Sequence, residues 1–267
     1  MTEGAITGTL PSSLAELNLL EELNFSNCEL VGTIPDFLYT HEQLTWVDLN
    51  NNAFTGKINP SLGHSTRLAT FWIAGNKLTG SIPDSVGQSL GLISIDLGYN
   101  NLTGTIPEFS ADSQMTWMYL YVNSLIGTIP SSIVDAHHLQ GISLGLNALS
   151  GMIPTELGLL SKLEVLSLYT NGFTGSIPSE IGQLSNLYLL NIGTNTLSGT
   201  IPTELGLLSN LEVLSLESNR LTGTVPTTLM NLSNLSKSHN GLCFLKISPP
   251  WILTCAHPPH YRKCVPL

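Results

Sequence analysis

The chain has 267 residues, 9 Lys+Arg against 19 Asp+Glu, a formal charge of −10, and only 10% charged residues. With 42% hydrophobic residues and a mean hydropathy of +0.21, it is no disordered chain. The acidic balance argues against nucleic acid or an anionic membrane surface as partner, and no apolar run reaches the roughly 18 to 20 residues of a bilayer span.

Residues 1–10 open in the middle of a unit, with Ile6, Gly8 and Leu10 on the positions of its second half. The opening MTEGAITGTL has neither a basic start nor an apolar stretch, so it is not a secretory signal. An uncapped solenoid end exposes strand edges and core Leu to water. The expectation is therefore a piece of a longer protein, or a truncated product of one.

From there the sequence repeats. Leu10, Ile34, Ile58, Ile82, Ile106, Ile129, Ile153, Ile177, Ile201 and Val225 are separated by 24 residues eight times and by 23 once, the shortened unit having lost a residue just before Met115. A Pro follows each of them directly, except in the third, where it comes one residue late as Pro60. The unit reads LxxLxLxxNxLxGxIPxxL, as in Leu163, Leu166, Leu168, Asn171, Phe173, Gly175, Ile177, Pro178 and Ile181. In LxxLxL the last two apolar residues alternate, which puts them on one face of a short strand, and stacked units pair such strands in parallel into a concave wall.

Three residues later stands an Asn ladder: Asn52, Asn76, Asn100, Asn123, Asn147, Asn171, Asn195 and Asn219, with Cys28 in its first place. A buried amide there can satisfy turn backbone that no regular element pairs. A Gly ladder from Gly32 to Gly223 then supplies a site without a side chain before the Pro that sends the chain out of the core. No single unit buries its own apolar residues, and only stacking does.

This unit resembles the plant-type leucine-rich repeat of receptor-kinase ectodomains, receptor-like proteins, polygalacturonase-inhibiting proteins and similar algal proteins, over roughly residues 5 to 236. The resemblance implies an α/β repeat solenoid of about ten coils, a right-handed superhelix with a parallel concave sheet and an irregular or 3-10 convex side. It also implies an extracellular place, or the extracellular face of the plasma membrane. The signal and the Cys-containing N-terminal cap that family members usually carry do not occur in this chain.

Residues that alternate with the strand Leu face solvent on the concave wall. Four such positions in nine units make 36 sites, for which the chain's 11 Trp and Tyr would give about 1.5 by chance; seven stand there. They are Trp46, Trp72, Tyr99, Trp117, Tyr119, Tyr121 and Tyr169, most of them in the second to fifth coils. Exposed aromatic patches mark interaction sites, and Trp and Tyr dominate interface hot spots. Asp48, Asp96, Asn24 and Asn50 add acceptors beside the band, which suits a peptide with a basic or hydroxyl group, or a sugar stacked on Trp. Beyond the sixth coil the face turns small or aliphatic, with Gly141, Gly145, Val165, Leu189, Gly193 and Val213.

Catalysis is not expected. Asp48 and Asp96 lie two rungs apart, about 10 Å, at or past the carboxylate separations of glycosidases, and an open wall is not expected to raise a carboxyl pKa. No zinc-protease, hydrolase or phosphate-loop signature is present, and His41, His64, His137 and His138 fall on convex connections. The segment before each Pro carries Thr/Ser pairs such as Thr7/Thr9, Thr79/Ser81, Thr103/Thr105, Thr174/Ser176, Ser198/Thr200 and Thr222/Thr224, interrupted by Val31, Lys57, Ile126 and Met152. Regular hydroxyl ranks resemble ice-binding surfaces, though Thr is also an ordinary exposed strand residue.

Residues 237–267 read as a degenerate last coil and a tail. Cys243, Cys255 and Cys264 stand there with His239, His257 and His260, without the paired spacings of a zinc site, so a disulfide within a terminal cap fits better and no metal is expected. Sequons at Asn24, Asn101, Asn231 and Asn234 permit glycosylation in a secreted parent. The function expected is non-catalytic recognition of a peptide or protein ligand through the aromatic concave face, with no cofactor. Glycan binding or enzyme inhibition is the first alternative and ice binding the second.

Overall fold

A computed structural model describes residues 6–235 as stacked coils, each running from a concave strand through a turn and a lateral strand to a convex connection. The cysteine and histidine tail lies outside the described residues.

Nine concave strands of three residues each, from Glu22–Asn24 to Val213–Ser215, form one parallel sheet in chain order. Adjacent strands pair in strict register, so that Asp48 lies beside Trp72 and Trp72 beside Asp96. The middle residue of each strand points inward, as Val47, Phe71, Ile95, Ile142 and Leu166 show by their complete burial. They join one continuous apolar core with Leu49, Phe54, Leu78, Leu102 and the convex Leu residues. The lateral strands pair in parallel too, and the convex side is built mostly of short 3-10 helices such as Thr155–Leu159 and Ser179–Gln183.

The turn between the two strands explains the Asn ladder. The Asn147 Nδ2 donates to Leu120 O at 3.0 Å, Leu144 O at 3.0 Å and Gly145 O at 3.4 Å, while its Oδ1 accepts from Leu125 N at 3.0 Å. One amide thus closes its own turn and ties it to the preceding coil, and Asn52, Asn76 and Asn195 repeat the pattern. The residue before the ladder takes a left-handed conformation, including Tyr99 at φ 49° and the β-branched Val122 at φ 54°. Such values are outliers for a β-branched side chain, and the cooperating hydrogen bonds hold them in place.

The ladder glycines have a more specific role than giving the chain an unencumbered exit. Gly151 sits at φ +80°, and a Cβ there would come within 2.7 Å of Thr128 Cγ2 in the preceding coil. Both the left-handed backbone and the close approach of the preceding coil demand Gly.

The shortened unit leaves a visible trace. Its convex segment forms no helix, and Phe109 and Met115 fill the space beside Val86 and Met118 around an apolar cavity of about 10 Å³. That volume is at the lower limit for one water molecule, and an apolar lining keeps it dry.

Candidate functional site

Strand alternation turns the first and third residues of each concave strand to the outer side of the sheet, where neighbouring side chains still bury Asp48, Ser94 and Ser167. This places Trp46 and Trp117 on one rank, and Asp48, Trp72, Asp96 and Tyr119 on the next. The neighbouring turns carry Tyr99, Tyr121 and Tyr169. The sheet thus brings the predicted aromatics of coils two to five onto one surface, with Tyr169 two coils further along.

These side chains lie down on the sheet. Trp46 and Trp72 meet edge to face at 5.9 Å and 75°, Tyr99 and Tyr121 at 5.3 Å and 83°, and Trp117 stacks on Tyr119 at 6.0 Å and 22°. The Trp72 Nε1 donates to Ser94 Oγ at 2.9 Å. Six of the seven aromatics are half-buried in consequence, and only Tyr99 is largely exposed.

Glycines make this packing possible. A Cβ on Gly141 would stand 2.2 Å from the Trp117 ring, one on Gly98 2.6 Å from Tyr121, and one on Gly145 2.2 Å from Tyr169. Gly141 and Gly145, which the sequence suggested were the small far end of the face, are instead seats for Trp117 and Tyr169. Aromatic cover of a strand glycine replaces the packing that the missing side chain cannot supply.

The two Asp residues are built into the strand ends. Asp48 Oδ1 accepts from Asn50 N at 3.0 Å and Asp96 Oδ1 from Gly98 N at 2.9 Å. Asn24 and Asn191, at the same place in their coils, make the same bond. Asp96 is nevertheless pushed up from 3.8 to about 6, chiefly by burial and further by the charge of Asp48, against the lowering effect of the Gly98 N–H. The expectation that an open wall leaves carboxyl groups unperturbed is thereby corrected: Trp72 on one side and Tyr119 on the other remove water from Asp96. Tyr119 is itself pushed up to about 12 by burial, then by Tyr188 and Asp96.

Tyr188 is a member of the surface that alternation did not reveal, because it stands one residue before its strand. Burial raises its pKa first, followed by Glu164 and Glu212 on the two flanking coils. Its 24-residue alignment with those two Glu residues was the available signal. Glu217, on the rank of Tyr121 and Tyr169, was also missed: it folds over Gly193 as those rings fold over Gly98 and Gly145, and its buried Oε2 has no hydrogen-bond partner among the described residues.

Elsewhere, His137 and His138 pack together at 4.6 Å, and Lys162 Nζ lies 3.1 Å from His138 Nδ1, which lowers the His138 pKa after a first contribution from burial. Among the described residues, no group of three or more His, Cys, Asp or Glu side chains is placed to hold a metal, and no helix is long and apolar enough to cross a membrane.

The profile of the family Leucine Rich Repeat matches residues 19–40, 43–65, 91–112, 162–184 and 210–232. No curated protein matches this chain in sequence. Among solved structures, the Arabidopsis receptor kinase HAESA, in complex with the peptide hormone IDA and the co-receptor SERK1, is 34% identical with a TM-score of 0.81 over 86% of this chain and 39% of that one. The plant peptide hormone receptor RGFR1, in complex with RGF2, is 32% identical with a TM-score of 0.64 over 88% of this chain and 45% of that one. A plant ice-binding protein is 26% identical with a TM-score of 0.73, covering 83% of this chain and 71% of that one. This chain thus spans less than half the length of either receptor. With this repeat, this parallel concave sheet and this likeness to plant receptor ectodomains, the chain is a leucine-rich-repeat solenoid of the plant type.

Proposed function

We propose that the chain is the non-catalytic recognition module of a receptor-like extracellular protein, and that it binds a peptide or protein ligand on the concave face. The observation that carries this reading is the band of Trp and Tyr laid onto glycine seats. Rings already fixed by packing lose little freedom when a ligand covers them, which favours binding. The two receptors bind peptide hormones, which supports the ligand class. Asp48 and Asp96, about 10 Å apart across Trp72 and each committed to a backbone N–H, serve here as ligand acceptors and not as an acid and a nucleophile.

The ice-binding relative favours a second reading through the lateral Thr/Ser ranks. Several of those hydroxyls are already engaged, since Thr55, Thr79, Thr174 and Thr222 donate to Gly carbonyls of the preceding coil. Met152 and Ile126 also project from the rank at 69% and 53% exposure. The concave reading is the better supported.

Tryptophan fluorescence during titration with peptide and oligosaccharide panels tests the proposal, with Trp117→Phe as control. A saturable change with a peptide, diminished in the control, is the expected result. A folded protein that responds to no peptide but inhibits ice recrystallisation would overturn it.

A further inference from the structure

Every charged side chain that the described concave face carries is acidic. Its strands, the residue before each and the turn after each carry Asp48, Asp96, Glu164, Glu212 and Glu217, with Glu21 and Glu22 in the first coil, and no Lys, Arg or His. The basic residues of the described chain stand elsewhere. Lys77 and Arg220 start lateral strands, Lys57 follows one, and Arg67 and Lys162 lie in the connections that return to the concave side. Among the described residues, no cation neutralises the face from within the sheet.

The acids are arranged around aromatic rings. Asp48, Trp72 and Asp96 follow one another on three adjacent strands. Glu164, Tyr188 and Glu212 do the same one residue ahead of three others, joined by the bonds Tyr188 N to Glu164 O at 2.9 Å and Glu212 N to Tyr188 O at 2.8 Å. A ring flanked by two carboxylates offers a cation both a π face and opposite charge. Independently, the buried Glu217 Oε2 lacks a hydrogen-bond donor among the described residues. A buried carboxylate oxygen without a partner is costly, and a donor from a ligand removes that cost.

We infer that the occupant of the concave face is an extended dibasic peptide, with one cationic side chain over Trp72 between Asp48 and Asp96 and a second over Tyr188 between Glu164 and Glu212. This rests on the recognition reading above and names its ligand class. Trp72 and Tyr188 lie five rungs apart, about 24 Å at roughly 4.8 Å per rung, and three residues, about 10 Å, apart along the strand direction, so an extended peptide covers the roughly 26 Å between them in about seven to eight residues at roughly 3.4 Å each. The described face offers no cation to a free carboxylate, so the peptide is held by its basic side chains and not by its C-terminus.

The test is calorimetric titration of the full chain with amidated 12-residue Gly/Ser/Thr peptides carrying two Arg residues seven apart, two Arg residues three apart, two citrullines seven apart, or two Asp residues seven apart. The expected result is at least tenfold tighter binding of the seven-spaced Arg peptide than of any other. That advantage should fall severalfold between 50 and 300 mM NaCl, because the attraction is screened. Asp96→Asn and Glu212→Gln should each cost about fivefold or more, and Glu16→Gln on the convex side nothing. If the citrulline or Asp peptide binds as tightly and changes tryptophan emission, the concave site stands and the dibasic assignment fails. If no peptide of any charge binds the folded protein, both fail.

Discussion

Replacing Asp96 by Asn separates the cost of the carboxylate from its use. The side chain is half-buried between Trp72 and Tyr119, with Asp48 two strands away, and its pKa rises from 3.8 to about 6. Because the folded state holds the proton more tightly than the unfolded chain, it binds more protons between about pH 4 and 6. Stability therefore falls as pH rises through that window and stays reduced above it. At about 1.36 kcal/mol per pH unit, the interval amounts to about 3 kcal/mol as an upper bound. Asn removes the charge and keeps the acceptor for Gly98 N, as Asn24 and Asn191 already do in equivalent places. Asp96→Asn should accordingly raise stability by about 1 to 3 kcal/mol at pH 7, a rise in melting temperature of roughly 3 to 10 °C, and by much less at pH 4. Urea denaturation of both proteins at the two pH values measures this. A variant that is destabilised at pH 7, or stabilised equally at both, would refute the reasoning. In the wild-type chain, a bound cation should lower the Asp96 pKa again and release a proton near pH 6, visible as a buffer-dependent binding enthalpy.

Other consequences follow from the same geometry. Asn147→Ala leaves Leu125 N–H and three carbonyls without their amide and should cost about 2 to 3 kcal/mol in urea denaturation. Trp72→Ala should reduce affinity for a concave ligand at least tenfold while leaving the sheet's circular dichroism unchanged, since the ring lies on the solvent side of its strand. Gly141→Ala should lift Trp117 off its seat, shifting tryptophan emission to the red and weakening ligand binding at a cost of about 1 kcal/mol in stability. Glu217→Tyr should stabilise the last described coils by about 1 kcal/mol by removing a buried oxygen that no described group partners, and should weaken binding of a cationic peptide in calorimetry.

The repeat was legible because every landmark recurs at a fixed interval, so the strand face, the Asn turn and the Gly before Pro could each be read from a single unit. What lay between units was hidden. Gly141 and Gly145 look like gaps in a face when read along the chain, and only strand register puts Trp117 and Tyr169 over them. Asp96 looked solvated for the same reason, because the residues that shield it come from the coils before and after. Tyr99 was rightly placed at the surface, but its left-handed backbone makes it a turn residue, equivalent to Val122 and Leu146. Tyr188 escaped the period-two rule because the face begins one residue before the strand does.

The turn rank shows how a uniform repeat acquires direction. Parallel strands about 4.8 Å apart cannot each carry a ring lying flat along the stacking axis, because a flat ring covers its own rung and the next. Large residues therefore alternate with glycine: Tyr121 over Gly98, Tyr169 over Gly145, Glu217 over Gly193. The third place in that series holds a carboxylate where the first two hold phenol rings. The rank thus passes from an apolar platform in the middle coils to a negative one at the C-terminal side, while its scaffold of glycine seats stays the same. For the proposed peptide ligand such a gradient would set which way it lies, through side-chain identity alone, with no change in the backbone that presents it.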